Sequence, residues 1–573
     1  MLLAWSLGPL LAYAQDDPQR DPQLPEIAPR EFEIRGQAQV SFPSLERQPL
    51  QGFASPPSVP TLPPQRVPHT NAAGYKQTLG DLPASLPEAP AVSSRLQTVP
   101  PLTRGSLSAD LGRYLTRSVR GVLAVPVSGT ETLAFEGQYD GTNGFAAYED
   151  PEVDTPYNTT AATVRFESRR ERLTFAADVH GFVDSYQLYG VQAQPGAPGA
   201  PPIPDRSGRS IGTDLRLTTD GALPVHVGLA FDQTGYETNP GTTRAAIPFD
   251  ESRLALDGAV QFPVGISDVD LDARFATAGL NSGAFAGDVV AFDGGGDALA
   301  VRVGPYTVRA GVRLLAFRSL VDPGADAPGE VTATFIAPTV DASWTVLPTL
   351  RLYARNAPRL RMHHLAELHR RNPFVGATPR VQPTLETTNV ESGVDVSAGK
   401  VRWQAYGGFR YAPSYLHFVP GPDDLGTGLA QGSTFAPAYD GARLWRAGTE
   451  LALEGQTAAQ ATLRMELRNA VLTGADVAVP NVSSFLLEGA TTLGFADRKG
   501  TVTLGASVEG PRYIDRREDE QVSALIDFDV DAAYAITPAI DVRLGLHNLG
   551  AVERWERYPR PPAVLTTGFR MHW

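Results

Sequence analysis

The stretch TVRFESRRERLTFAADVHG (residues 163–181) sets the pattern for most of the chain. Before the link, Val164 and Phe166 alternate with Arg165 and Glu167. After it, Leu173, Phe175, Ala177 and Val179 alternate with Thr174, Ala176, Asp178 and His180. Strict period-two alternation on both sides of a very short polar link is the sequence form of a β-hairpin. The design recurs in DLRLTTDGALPVHVGLAF (214–231), around the turn dipeptide Asp220-Gly221. It returns in ALAVRVGPYTVRAGVRLLAF (298–317), ELALEGQTAAQATLRMEL (450–467) and TLGFADRKGTVTLGASV (492–508).

Ten such hairpins follow one another from about residue 105. A lone first strand, Leu107 to about Tyr114, and a lone last strand, Ala563 to Trp573, bring the number to 10 × 2 + 2 = 22. Connections alternate between two to five residues and stretches that run to about 20 or more, as in GVQAQPGAPGAPPIPDRSGRS (190–210). One face of the strands carries Val, Leu, Phe and Ala. The other carries charges such as Arg165, Asp178, His180, Asp214, Arg216 and Asp257, and further on Asp270, Asp272, Arg274, Arg302, Arg309 and Arg313. Strands of ten or more residues, an even number of them and alternating short and long connections predict an all-β fold, a transmembrane antiparallel β-barrel of about 22 strands. Lipid tolerates no open sheet edge, so the strands must close on themselves. The charged face then lines a wet interior, where its Arg and Asp pair with each other.

The last strand alternates to its final residue. Leu565, Phe569, Met571 and Trp573 form its lipid-facing row, with Trp573 at the interface. An alternating last strand ending on an aromatic resembles the recognition signal of the outer-membrane assembly machinery, which would read Phe569, Met571 and Trp573.

The first residues, MLLAWSLGPLLAYAQDD, have the apolar run and small-residue site of a secretory signal peptide, residues 1–14, cleaved after Ala14. Between Pro18 and Pro101 lie 17 of the chain's 49 prolines, which predicts a largely irregular Pro-rich segment, 15–104, in the periplasm or the barrel lumen. Within it EFEIRGQAQVSF (31–42) alternates like a strand. Phe32, Ile34 and Val40 lie on one side, ready to pair near the barrel mouth or with a periplasmic or lipoprotein partner. The formal net charge of −14 argues against a nucleic-acid partner, and the absence of Cys removes disulfides and thiolate metal sites.

The longest informative connection is RNAPRLRMHHLAELHRRNPFVGATPRVQPTLETTNVESGVDV (355–396). Its Leu365-Ala366-Glu367-Leu368, Asn372-Pro373-Phe374, Val381-Gln382-Pro383 and Glu391-Ser392-Gly393 resemble, in order, motifs of the TonB-dependent receptors. The closing segment matches that family at Asn548-Leu549, Tyr558-Pro559 and the terminal aromatic. The resemblance covers about 105–573 and implies an outer-membrane location in a Gram-negative-type bacterium and uptake of a solute. Nothing in 15–104 resembles the family's plug domain, so a passive pore and a scaffold barrel that docks a partner stand as alternatives.

Within the same connection, MHHLAELH sets His363, His364, Glu367 and His369 on one outer loop as candidate ligand contacts. If helical, His363 and Glu367 share a face at i,i+4, a spacing used by metal ligands. No fourth ligand or supporting shell is identifiable, so a solvated polar loop is the preferred reading and no metal is assigned. DGGGD (293–297) reads as a flexible turn rather than a Ca²⁺ loop. No nucleophile elbow, phosphate-binding loop or zinc-protease motif occurs, so no catalytic residue, enzyme activity or cofactor is expected.

Overall fold

The structure, a computed structural model, describes residues 104–145, 155–189, 203–221, 223–241, 245–264, 267–282, 286–320, 329–421, 434–453, 459–497, 499–550 and 562–573. The signal peptide, the Pro-rich segment and its strand at Phe32, Ile34 and Val40 lie outside these residues.

Among the described residues twenty-two antiparallel strands form one ring. The first, Gly105–Gly112, pairs on one side with Arg117–Pro126 and on the other with the last, Val564–His572. Ser106 faces His572 and Gly112 faces Thr566 across this seam. Closure continues one step past the last strand: Gly105 N–H donates to the Trp573 carbonyl at 3.1 Å, and Trp573 N–H returns the bond at 3.2 Å. The alternation predicts this ring, because a chain crossing lipid in strands leaves no backbone group unpaired only when the sheet has no edge.

Connections on one side are short, as at Glu171–Arg172, 304–305 and 348–349, while those on the other range from four residues at 113–116 to the long stretch 357–387. The expected length of about 20 or more on the long side is therefore reached only by 357–387. Residues 205–210, read as connection, already belong to strand Asp205–Thr219. DGGGD is likewise no turn. It lies inside strand Ala286–Val303, where Asp293–Gly296 pair with Arg274–Leu271 on one side and Leu315–Val312 on the other.

Wall height is uneven. At the seam the strands are short, 8 residues in Gly105–Gly112 and Ile540–His547. Farther round the ring they reach 18 in Ile247–Val264 and 20 in Val401–Pro420. The outward face is apolar and exposed, with Leu565, Phe569 and Trp573 between 44% and 51% accessible on the last strand. Near the short turns stands a belt of outward aromatics, including Tyr306 stacked on Trp344 at 5.4 Å, Trp403, Tyr534 and Trp573. On strand Val401–Pro420 the outward Trp403 and Tyr411 are eight positions apart. At a rise of ~3.3 Å per residue and a tilt of ~40°, that separation spans about 20 Å along the membrane normal. It approaches the apolar band of about 25 Å in outer-membrane barrels, so Ala412–Pro420 rise beyond the lipid.

Gly105 is required at the seam by its neighbour. A Cβ there would come within 2.5 Å of the Trp573 ring, whereas one at the lipid-facing Gly137 would meet nothing within 4 Å. Gly105→Val is therefore expected to cost about 1–3 kcal/mol through overpacking and to reduce the folded, heat-modifiable band on unheated gels, with Gly137→Val as the unaffected control.

Candidate functional site

Inward-facing positions change chemistry with height. Along strand Tyr306–Leu320 the inner row runs Arg309, Gly311, Arg313, Leu315, Phe317, Ser319, from charged near the short turn to apolar near the long connection. Leu280, Val289, Leu315 and Phe317 sit on the face read as polar, and all are buried. Apolar side chains facing a wet lumen need a cover, and the connection 357–387 supplies it. It carries a short strand Arg359–Arg361, a helix Leu365–Arg371 and a short strand Thr384–Glu386, which pairs back with the first. Leu365 and Leu368 pack on the wall residues Tyr236, Phe249, Leu280 and Val289, while Leu360 and Leu385 pack on Ala291, Leu315 and Phe317. Each fully buried leucine contributes roughly 1.5–3 kcal/mol.

Polar anchors fix this inward fold from six separate strands. Glu251 accepts the Leu365 N–H at 2.6 Å, placing a carboxylate at the helix start, where free N–H groups and the helix dipole favour an anion. Asp293 accepts from Leu360 N–H at 2.9 Å, and Arg206 donates to the Pro373 carbonyl at 3.1 Å. Ser319, Ser414 and Tyr439 donate to the carbonyls of Val381, Pro383 and Arg380.

The four expected ligand contacts are placed by this fold. His363 precedes the helix, so it shares no helix face with Glu367; its Nδ1 nonetheless lies 3.2 Å from Glu367, while its Nε2 meets the Thr384 hydroxyl at 2.9 Å and the ring is buried. Glu367 is also held by Arg361 at 2.5 Å and Arg371 at 3.2 Å. His364 caps the helix, its Nδ1 accepting the Glu367 N–H at 3.2 Å. His369 is buried on the opposite face, stacked on Tyr236 at 3.9 Å and 3.2 Å from Arg206. The arrangement brings His363 and Glu367 together and sends His369 elsewhere, and no group of three ligating side chains forms among the described residues.

Burial lowers the pKa of His363, lowers that of His364 to about 4 with help from Arg253, and lowers that of His369 well below the ordinary imidazole value with help from Arg206. Burial works upward on Glu367, but its bond with His363 and the charges of Arg361 and Arg371 outweigh it and hold the carboxyl at about 2.

Below this segment the inner wall is an ion-pair lattice, as the charged face predicts. Arg165 binds Asp178 at 2.7 Å, His180 lies 3.1 Å from Asp232, and Arg309 binds Asp270 at 2.9 Å. Arg313 reaches both Asp272 and Asp293. On another arc, carboxylates are each shared by two guanidinium groups: Glu386 by Arg359 and Arg410, Glu391 by Arg355 and Arg446, Glu466 by Arg464 and Arg468.

Between the helix and the wall beside the seam lies a cavity of about 880 Å³. Six of its lining rings are Phe145, Tyr157, Phe182, Tyr186, Tyr189 and Phe374. Apart from Phe374, which the sequence offered only as part of a motif, none was singled out from sequence. The available signal was the presence of Tyr157, Phe182 and Tyr186 at positions whose parity matches Arg165 and Asp178, that is, large rings on the water-facing row. A second cavity, of about 760 Å³, is bordered by Arg359, Arg361, His364 and Glu367 together with Asp257 and Asp272 of the wall.

The lowered histidines are neutral in the folded segment and charge readily once it opens. Their stabilising effect is complete above about pH 6.5 and is lost as pH falls toward 4. Glu367, depressed from its ordinary 4.5, contributes fully above that value and loses its contribution only as pH falls toward 2. Between pH 6.5 and 4.5, hydrogen-exchange protection of 365–371, corrected for intrinsic rates, is expected to fall less in His364→Asn, which keeps the cap but cannot titrate, than in the wild type.

No protein-family model matches the sequence, and no curated protein matches it. Solved structures do. The copper transporter OprC superposes with a TM-score of 0.62 at 12% identity, over 82% of this chain and 81% of its own. The FrpB iron transporter from Neisseria meningitidis gives 0.64 at 8%, over 82% and 81%. The ferric yersiniabactin uptake receptor FyuA from Yersinia pestis gives 0.58 at 12%, over 82% and 80%. At such identities the likeness is one of fold alone: the described residues form a 22-stranded antiparallel barrel with the architecture of these transporters.

Proposed function

We propose that this protein takes up a solute across the outer membrane of a Gram-negative-type bacterium. The observation that carries the reading is the connection 357–387. A ring of 22 strands is wide enough to enclose an aqueous channel, yet here the chain folds its own segment into that space and anchors it from six strands. What is left on one side is an aromatic-lined cavity of about 880 Å³, a size suited to holding a small ligand. A bare sieve has no use for such a construction. The fold shared with copper, iron and siderophore transporters supports the same reading.

Three partners accompany it. Lipid meets the exposed apolar belt. The assembly machinery would read the closing strand at Phe569, Met571 and Trp573. Of the four candidate ligand contacts His363, His364, Glu367 and His369, His369 borders the aromatic cavity and His364 and Glu367 the second one, where they act on the ligand through placement, while His363 lines neither.

The test is depletion of a complex solute mixture by cells expressing the protein, followed by mass spectrometry with and without an uncoupler. Loss of specific solutes that stops on uncoupling is expected. Depletion that survives uncoupling would replace the proposal with a passive pore. No depletion, together with a stoichiometric co-purifying protein, would replace it with a scaffold.

A further inference from the structure

We propose that the cavity beside the seam is a saccharide site, taking an uncharged ligand of one to a few sugar rings. The inference deepens the uptake reading above and rests on it for its physiological role. Its basis is the chemistry of two adjacent inner rows. Tyr157, Thr159, Ala161 and Thr163 on strand Tyr157–Arg170 stand in register with Tyr186, Asp184, Phe182 and His180 on strand Leu173–Gln187. Their outward neighbours Val164, Val179 and Val183 face lipid, so these rows are fixed toward the lumen by alternation.

The rings are turned at right angles to one another. Phe145 meets Tyr189 at 76° and Tyr189 meets Phe374 at 80°, with centroids 6.3 and 5.4 Å apart. A flat aromatic ligand calls for parallel planes on its two faces. Crossed rings instead offer separate π-faces in different directions, each electronegative at its centre and attractive to the polarised C–H face of a puckered sugar. Between the rings stand neutral hydrogen-bonding groups. Among the described residues Tyr157, Thr159, Thr163 and Gln187 line the cavity without a side-chain partner in the protein. Four neutral groups of this kind match the hydroxyls on the edge of a sugar ring, each both donor and acceptor.

The charges nearby are largely committed. His180 is 3.1 Å from Asp232, and His369 is 3.2 Å from Arg206. Asp184 accepts from the Tyr236 hydroxyl at 3.4 Å on one oxygen, and its other oxygen is buried against the Gly208 backbone. Arg370, exposed at the last turn of the helix, adds a planar fork that donates to two neighbouring oxygens at once.

The experiment uses the purified full chain in a polyoxyethylene detergent, since alkyl glycosides would compete, against an array of neutral oligosaccharides read by fluorescence. At least one oligosaccharide class is expected to bind and to be displaced by dodecyl maltoside. Tyr157→Ala and Gln187→Ala should each weaken binding about tenfold, the loss of one ring face or one hydrogen bond. Val183→Ala, on the lipid side of the same wall, should leave it unchanged. A blank array overturns the proposal. So does binding of 4-hydroxybenzoate that vanishes in Arg370→Gln while no saccharide binds, which would make the cavity a site for aromatic anions. If saccharides bind yet cells deplete none, the site stands and the uptake reading falls. If cells take up another solute and the array is blank, the reverse holds.

Discussion

Every other feature of this protein depends on the pairing of backbone groups where no water can reach them. A strand edge left open in lipid costs several kcal/mol for each bare N–H or C=O, so the first and last strands must find each other across most of the sequence. They meet at a seam only seven paired positions long, extended by the exchange between Gly105 and Trp573. The terminal tryptophan thus has two roles. Its backbone continues the ladder, and its ring lies over the one position that has no side chain to obstruct it.

Closure creates a second problem. A ring of this circumference encloses more space than its own side chains can fill. The wall answers differently at two levels. Near the short turns it stays charged and hydrated, with arginines and carboxylates neutralising each other across neighbouring strands. Near the long connections it turns apolar and is covered by 357–387, whose leucines replace water on those positions. The helix in that segment has only seven residues, too few to be stable alone. It persists because Glu251, Arg206 and the apolar wall hold it.

The ring was legible in the sequence because its cause is local. Alternation, turn dipeptides and an aromatic ending are written in consecutive residues, and hairpins such as 163–181 form between neighbours. Where a local cue competed with pairing on both sides, it misled: Gly294–Gly296 read as a turn and proved to be mid-strand. The inward segment was misread for a related reason. HHLAELH looks like an accessible polar loop because His and Glu dominate it, and its burial is decided by wall residues more than a hundred positions away, such as Glu251 and Phe249. Helical spacing does not account for the contact of His363 with Glu367, because His363 precedes the helix, and it said nothing of Thr384, which takes the ring's other nitrogen. The aromatic cavity draws on both ends of the barrel sequence and on the middle of it, so no single stretch announces it.

The shared carboxylates have a consequence for how this wall tolerates change. Glu367, Glu386, Glu391 and Glu466 each hold two guanidinium groups. Remove one arginine and an intact pair remains. Remove one glutamate and two like charges are left facing each other across a narrow gap. These clusters are therefore forgiving at most of their arginines and brittle at their shared acids, like an arch that can lose a flanking stone but not a keystone. The reverse holds at Arg313, which bridges Asp272 and Asp293, and at Arg464, which also reaches Glu450 and Glu488, so sequence drift should halt at those two arginines as it does at the four acids.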